Sequence, residues 1–184
     1  AAGFFRGLED AGIISTAKHF PGHGNADKDS HGVLPVINDD LSYIWSHDLL
    51  PYRVLIKEGI PSIMTGHLSF PKITGEVVPA TLSTVFQQDI LRDKLGFDGL
   101  IITDDMRMHG VLQEKMDIPE ACEIAIEAGN DMIMLSRSPE IQDTVWRHLM
   151  QIIETDDDFK QHVVESVVRV LTLKMTYLSG STVE

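Results

Sequence analysis

Lysine, histidine and carboxylate crowd one short stretch of this chain: Lys18-His19-Phe20-Pro21-Gly22-His23-Gly24, followed by Asp29-Ser30-His31. Imidazole can give or take a proton near neutral pH, and a carboxylate beside it can hold the ring in one orientation. The apolar run Ile13-Ile14-Ser15-Thr16-Ala17 precedes the stretch and reads as the end of a buried strand. Gly and Pro make the segment after that run a loop rather than a helix. Reactive groups on a loop that leaves a strand are placed to meet a ligand.

Three chemistries are open to such residues. His19, His23 and His31 could ligate zinc, with His67 or Asp104 as a fourth group. Glycines flanking His23, the cation Lys18 and the lack of His-Glu-x-x-His or Cys-x-x-Cys spacing all count against a metal. Asp29 and His31 lie two apart, so an extended segment turns both to one side, as an acid/base pair requires. Asp104 follows the apolar run Leu100-Ile101-Ile102-Thr103, where a carboxylate at a strand mouth could act as a nucleophile, with Lys18 helping to stabilise it. Asp105 should point the other way and serve as a structural or helix-start acid.

Strand-like and helix-like patterns that position these groups alternate along the chain. A helix tail over Ala2 to Ala11 is closed by Gly12, and Ile13 to Ala17 is a strand. Short helices follow around Leu41 to Ser46 and after Pro51. Ser62 to Thr65 is strand-like, and Ser83 is expected to cap a helix with Val85, Phe86, Ile90 and Leu91 on one face. Gly99 to Thr103 reads as a strand covered on both sides. Pro119 opens a helix that Gly129 closes, and Asp131 to Leu135 is a fourth strand. The C-terminal part is helical, with Phe159, Val163, Val167, Val170 and Leu171 forming an apolar stripe that only Lys174 breaks.

Four βα units of this kind predict an α/β fold with parallel strands, amounting to half of a (β/α)8 barrel. Chemistry in such folds gathers where strands end. Those ends here are Lys18-His19, Thr65-Gly66-His67, Asp104-Asp105 and Ser136-Arg137.

The chain of 184 residues suits one domain, 1–184. Its net charge of −13 and lack of a basic stripe exclude nucleic acid as a partner. The Asp39-Asp40 pair and Asp156-Asp157-Asp158 read as helix starts. Cys122 falls in an amphipathic helical pattern, where a buried apolar role is expected. No apolar run is long enough to span a membrane. The chain does not open on Met, so a leader or more could precede it, and a cytoplasmic location is the working expectation.

The segment Lys18 to Gly24 with Asp29-Ser30-His31, taken together with Gly99-Leu-Ile-Ile-Thr-Asp104-Asp-Met-x-Met108, closely resembles glycoside hydrolase family 3. Within that family it is most similar to the β-N-acetylglucosaminidase branch of bacterial peptidoglycan recycling. The resemblance runs over essentially the whole chain. It implies a TIM-barrel-type catalytic domain, of which strands five to eight are represented, and a retaining mechanism with no cofactor. Asp104 matches the catalytic nucleophile, His31 the general acid/base and Asp29 its dyad partner. Lys18 and His19 match residues that bind sugar hydroxyls, and His67 has the position of a further pocket residue.

The implied substrate is a terminal β-N-acetylglucosaminide, such as a peptidoglycan-derived muropeptide. Water and phosphate both stay open as acceptors. A β-glucosidase or a non-catalytic remnant of the fold are the competing readings. Arg107 stands where relatives usually carry a small residue, and Arg6 does not match the family's binding arginine. A four-stranded half-barrel leaves two sheet edges bare, so either a longer parent or self-association is expected, with little or no activity in the isolated chain.

Overall fold

The computed structural model describes residues 2–27, 29–30, 32–112, 116–136 and 138–178. Four parallel strands make one sheet in the order β1 (Thr16–Phe20), β2 (Ser62–Thr65), β3 (Leu100–Asp105) and β4 (Met132–Met134). Helix α1 (Ala2–Asp10) precedes β1. Helices α2 (Leu41–Ser46) and α3 (Leu50–Lys57) connect β1 to β2. The β2–β3 connection holds α4 (Pro71–Thr74), a 3-10 turn at Ala80–Leu82 and a π-type helix at Val85–Lys94. Helix α5 (Ile118–Ala128) links β3 to β4, and α6 (Pro139–Thr155) and α7 (Asp157–Leu178) follow.

Alternation along the strands decides which face is buried. Ile63, Ile101 and Thr103 are fully buried, and the two isoleucines pack with Leu55, Phe86 and Leu91 from the helices. Met64 and Ile102, paired across β2 and β3, are only partly covered, as are Met132 and Met134. Among the described residues, β3 is therefore covered less completely on the face of Ile102 than on that of Ile101 and Thr103, although Leu100 is buried. A second cluster, built on Met106, Val111, Ala121, Cys122, Ala125 and Val145, fastens α5 and α6 to β4. Cys122 is buried there as expected, and burial pushes its thiol up to about 12.

Several boundaries differ from those read in the sequence, each for a local reason. Strand β1 begins at Thr16, not Ile13, because the Ile13 N–H is spent on the Leu8 carbonyl at the end of α1 (2.9 Å). Pairing then starts at Thr16 with Ser62. Lys18 and His19 consequently belong to the strand itself, which fixes their backbone more tightly than a loop would. Strand β3 runs on through Asp105, since Asp105 still pairs with Met134. Ser83 contributes its carbonyl, not a side-chain cap, to the helix that follows, accepting from Phe86 and Gln87.

The expected apolar stripe of α7 is not core. Phe159 is buried, whereas Val167 and Leu171 stay about half exposed. The ties between α7 and the sheet are polar. The Asp131 carboxylate, wholly buried at the entry to β4, accepts from Arg92 (2.7 Å), Arg169 (2.9 Å), Ser166 (3.2 Å) and the Ile101 N–H (2.8 Å). Arg92 also donates to the carbonyls of Phe97 and Gly99. Asp156 and Asp40 begin their helices by accepting from the N–H groups of Phe159 and Tyr43. Asp39 does something else, taking a 2.7 Å hydrogen bond from Asn25.

Removing the Asp131 carboxylate leaves the nearly buried Arg92 guanidinium uncompensated. Asp131→Ala should cost about 3–5 kcal/mol in urea unfolding, and a loss well under 1 kcal/mol would show that the network does not anchor α7.

Candidate functional site

At the carboxyl ends of β1 and β3, Lys18, His19, His23, Asp29, Ser30 and Asp104 line a cleft of about 320 Å3. Asp104 directs its two oxygens differently. Oδ1 accepts the N–H of Asp105 (2.8 Å), and Oδ2 faces His19 Nε2 at 3.4 Å. Both side chains keep some solvent access, His19 at 28% and Asp104 at 15%.

β1 and β3 are not neighbours; β2 lies between them. His19 reaches Asp104 by crossing the end of β2 at Gly66, whose N–H donates to the Phe20 carbonyl (2.8 Å). A Cβ on residue 66 would stand 2.9 Å from the His19 Cβ, closer than packed carbons tolerate. Glycine at that position is what lets the imidazole pass. The His19 and His23 rings meet edge to face with centroids 5.5 Å apart.

The loop after β1 is held from the α2–α3 corner. The Gly24 N–H bonds the Asp48 carboxylate, and a Cβ on Gly24 would collide with it. Burial, reinforced by the nearby negative Asp39, raises the Asp48 pKa above the usual carboxylate range.

Asp105 is a structural acid, as anticipated. Its carboxylate accepts the Ser136 hydroxyl and the N–H groups of Ser136 (3.3 Å) and Arg107 (3.1 Å). Burial alone would raise its pKa, but these donors outweigh that and hold it below the ordinary value. Arg107 is exposed and donates to the Ser136 carbonyl. Among the described residues, no group of three His, Cys, Asp or Glu side chains is placed to hold a metal ion.

Residues 1–173 match the family model for the glycosyl hydrolase family 3 N-terminal domain. The chain belongs to glycoside hydrolase family 3. It is 36% identical over 155 residues to a beta-hexosaminidase from Neisseria meningitidis serogroup A / serotype 4A, covering 84% of this chain and 39% of that relative. It is 39% identical over 139 residues to a beta-hexosaminidase from Thiobacillus denitrificans, covering 76% and 38%. The solved structure of a family 3 β-N-acetylglucosaminidase from Paenibacillus sp. str. FPU-7 superposes with a TM-score of 0.93 at 33% identity, over 100% of this chain and 35% of that one. The chain thus spans about two fifths of the length of the curated relatives it matches. Its four parallel strands correspond to part of the family 3 N-terminal domain.

Of the family 3 site residues read from the sequence, the fold gathers Lys18, His19, Asp29 and Asp104 around one cleft. His31 lies outside the described residues, although Asp29 and Ser30 beside it form part of the wall. His67 is not brought to the cleft surface. It is fully buried, with Nε2 bonded to the Asp105 carbonyl (3.1 Å) and Nδ1 to the Thr81 hydroxyl (3.0 Å). The support given by Asp48 and Gly66 is not legible in the sequence, because nothing local marks a carboxylate or a glycine as another element's support. The Gly between Thr65 and His67 at a strand exit was the one available hint.

Two measurements probe this arrangement. Gly66→Ala should force His19 off Asp104, destabilising the chain by about 1–3 kcal/mol and shifting the His19 ring signals in NMR; unaltered ring signals would mean the crossing is slack. Burial lowers the His67 pKa below 6.5, so the unfolded chain binds a proton that the folded chain refuses. That contribution to stability is complete above pH 6.5 and is lost as pH falls, at up to about 1.4 kcal/mol per pH unit. Urea midpoints should therefore fall more steeply from pH 7 to 5 for the wild type than for His67→Gln, and parallel slopes would contradict it.

Proposed function

We propose that this chain carries the catalytic face of a retaining exo-β-N-acetylglucosaminidase, built on the C-terminal four βα units of a (β/α)8 barrel. The observation that supports this most is the Asp104 carboxylate, anchored through one oxygen and open to the cleft through the other, opposite His19 and beside Lys18. An oxygen so held is poised for attack on the anomeric carbon of a sugar lodged in the cleft.

In the first step an Asp104 oxygen forms an ester bond to that carbon. The glycosidic bond breaks, and its oxygen leaves with a proton from His31. In the second, neutral His31 takes a proton from water, whose oxygen displaces the carboxylate and restores the β-configuration. Asp29 orients the imidazole and stabilises its charged form. Lys18 and His19 hold the ring hydroxyls. An imidazole in place of a second carboxylate adds less negative charge, which suits a muropeptide aglycone bearing its own carboxylate.

The test is covalent trapping. A fluorinated N-acetylglucosaminyl fluoride, which forms the ester but releases it slowly, should add one glycosyl group to Asp104 as read by peptide mass. The adduct should vanish in Asp104→Asn. A glucosyl analogue should label at least about tenfold more slowly. Modification of a different residue, or no adduct on a chain that still binds N-acetylglucosamine, would overturn the assignment.

A further inference from the structure

We propose that His67 is a positioning residue for Asp104: its buried imidazole locks the backbone that follows the nucleophile and so fixes which carboxylate oxygen meets the sugar. The role of Asp104 in this statement rests on the hydrolase reading above; the way it is held does not.

The Asp105 carbonyl can only accept, so His67 Nε2 must carry the proton in their 3.1 Å hydrogen bond. Nδ1 is then the acceptor, and Thr81 Oγ1 donates to it (3.0 Å). Thr81 is itself pinned, because its carbonyl accepts Asn130 Nδ2 (2.9 Å). Asn130 also donates to the Ala125 carbonyl (2.7 Å) and accepts the Thr65 hydroxyl (2.9 Å). Thr65, His67, Thr81 and Asn130 are all fully buried. This chain of hydrogen bonds joins the ends of β2 and β3, the 3-10 turn and the entry to β4. A buried network with every ring nitrogen satisfied specifies one arrangement, because any other would strand a polar group away from water.

Its consequence falls on residue 105. His67 holds the carbonyl of that residue, while Ser136 and the Arg107 N–H hold its carboxylate. With Asp105 fixed at both ends, its N–H is directed at Asp104 Oδ1 and leaves Oδ2 to the cleft. A direct sugar contact by His67 is incompatible with a ring that has no exposed surface and both nitrogens engaged. Burial keeps the ring neutral, as this donor–acceptor pattern requires.

The experiment compares wild type, His67→Gln and His67→Leu. Gln places an amide N–H near the former Nε2, whereas Leu removes both hydrogen bonds. The readouts are the Asp104 labelling rate with the fluorinated glycosyl fluoride, the reversible affinity for N-acetylglucosamine, and the tautomer of the wild-type His67 ring by 15N NMR. His67→Leu should label about 30-fold more slowly with affinity within about threefold, and His67→Gln should recover to within about fivefold of wild type. Leu labelling at the wild-type rate overturns the proposal, and so does a loss of affinity that accounts for the loss of labelling. Should Leu fail to fold, Gln labelling as slowly as Thr81→Ala overturns it too. If wild-type Asp104 takes no label although the chain binds N-acetylglucosamine, the hydrolase reading fails, and the tautomer then decides the positional claim. A neutral Nε2–H ring at pH 8 upholds it, and an Nδ1–H ring there ends it.

Discussion

The passage of His19 across the end of β2 is the constraint on which the site depends. Parallel strands with a third between them lie roughly 9–10 Å apart, so side chains meet across the gap only by reaching over the strand between. A Cβ at residue 66 would press on the His19 Cβ, so the bare glycine accommodates the side chain whose imidazole comes within 3.4 Å of Asp104. A residue outside the proposed chemistry, defined by what it lacks, thus bears on the separation of Asp104 and His19, the proposed nucleophile and sugar-binding group. Register matters to the proposed site because slipping β1 on β2 would put a different residue beside His19, and slipping β2 on β3 would move Asp104 away from it.

Polar networks at the two ends of the sheet divide the remaining work. At the entry end, the Asp131 carboxylate gathers two guanidinium groups and a backbone N–H and ties α7 to the strands. Towards the exit end, Thr65, His67 and Thr81, tied to Asn130 at the entry to β4, are uncharged and fully buried, and they fix backbone positions near Asp104. The choice of neutral groups there has a physical logic. A charged network beside Asp104 would change the carboxylate's own ionisation, whereas hydrogen bonds to carbonyls leave its charge to the cleft. Between the two ends, apolar packing of Ile63, Ile101 and Phe86 supplies cohesion on the helix-covered face.

Periodicity made the alternation of strands and helices legible, because a run such as Leu100 to Thr103 and a helix opened by Pro119 and closed by Gly129 carry strong local signals. The beginning of β1 was not legible: Ile13 and Ile14 look like strand residues, yet one backbone N–H committed to the turn after α1 delays the ladder to Thr16. The α7 stripe misled for a related reason. Helical spacing of Val167 and Leu171 predicts an apolar face but not its cover, and the ties to the sheet run through Ser166 and Arg169. His67 shows the same limit within the site. Its place after a strand marks it as near the chemistry, while its direction, inward to Thr81 and Asp105, depends on elements distant in sequence.

The proposed catalysis turns on one separation in space, that between the cleft-facing oxygen of Asp104 and the anomeric carbon of a bound sugar. A crystal structure of the chain with a non-hydrolysable N-acetylglucosamine analogue bound would measure it. Oδ2 should lie about 3–3.5 Å from the anomeric carbon, with Lys18 and His19 on the ring hydroxyls. A sugar seated elsewhere, or presenting that carbon away from Asp104, would contradict it.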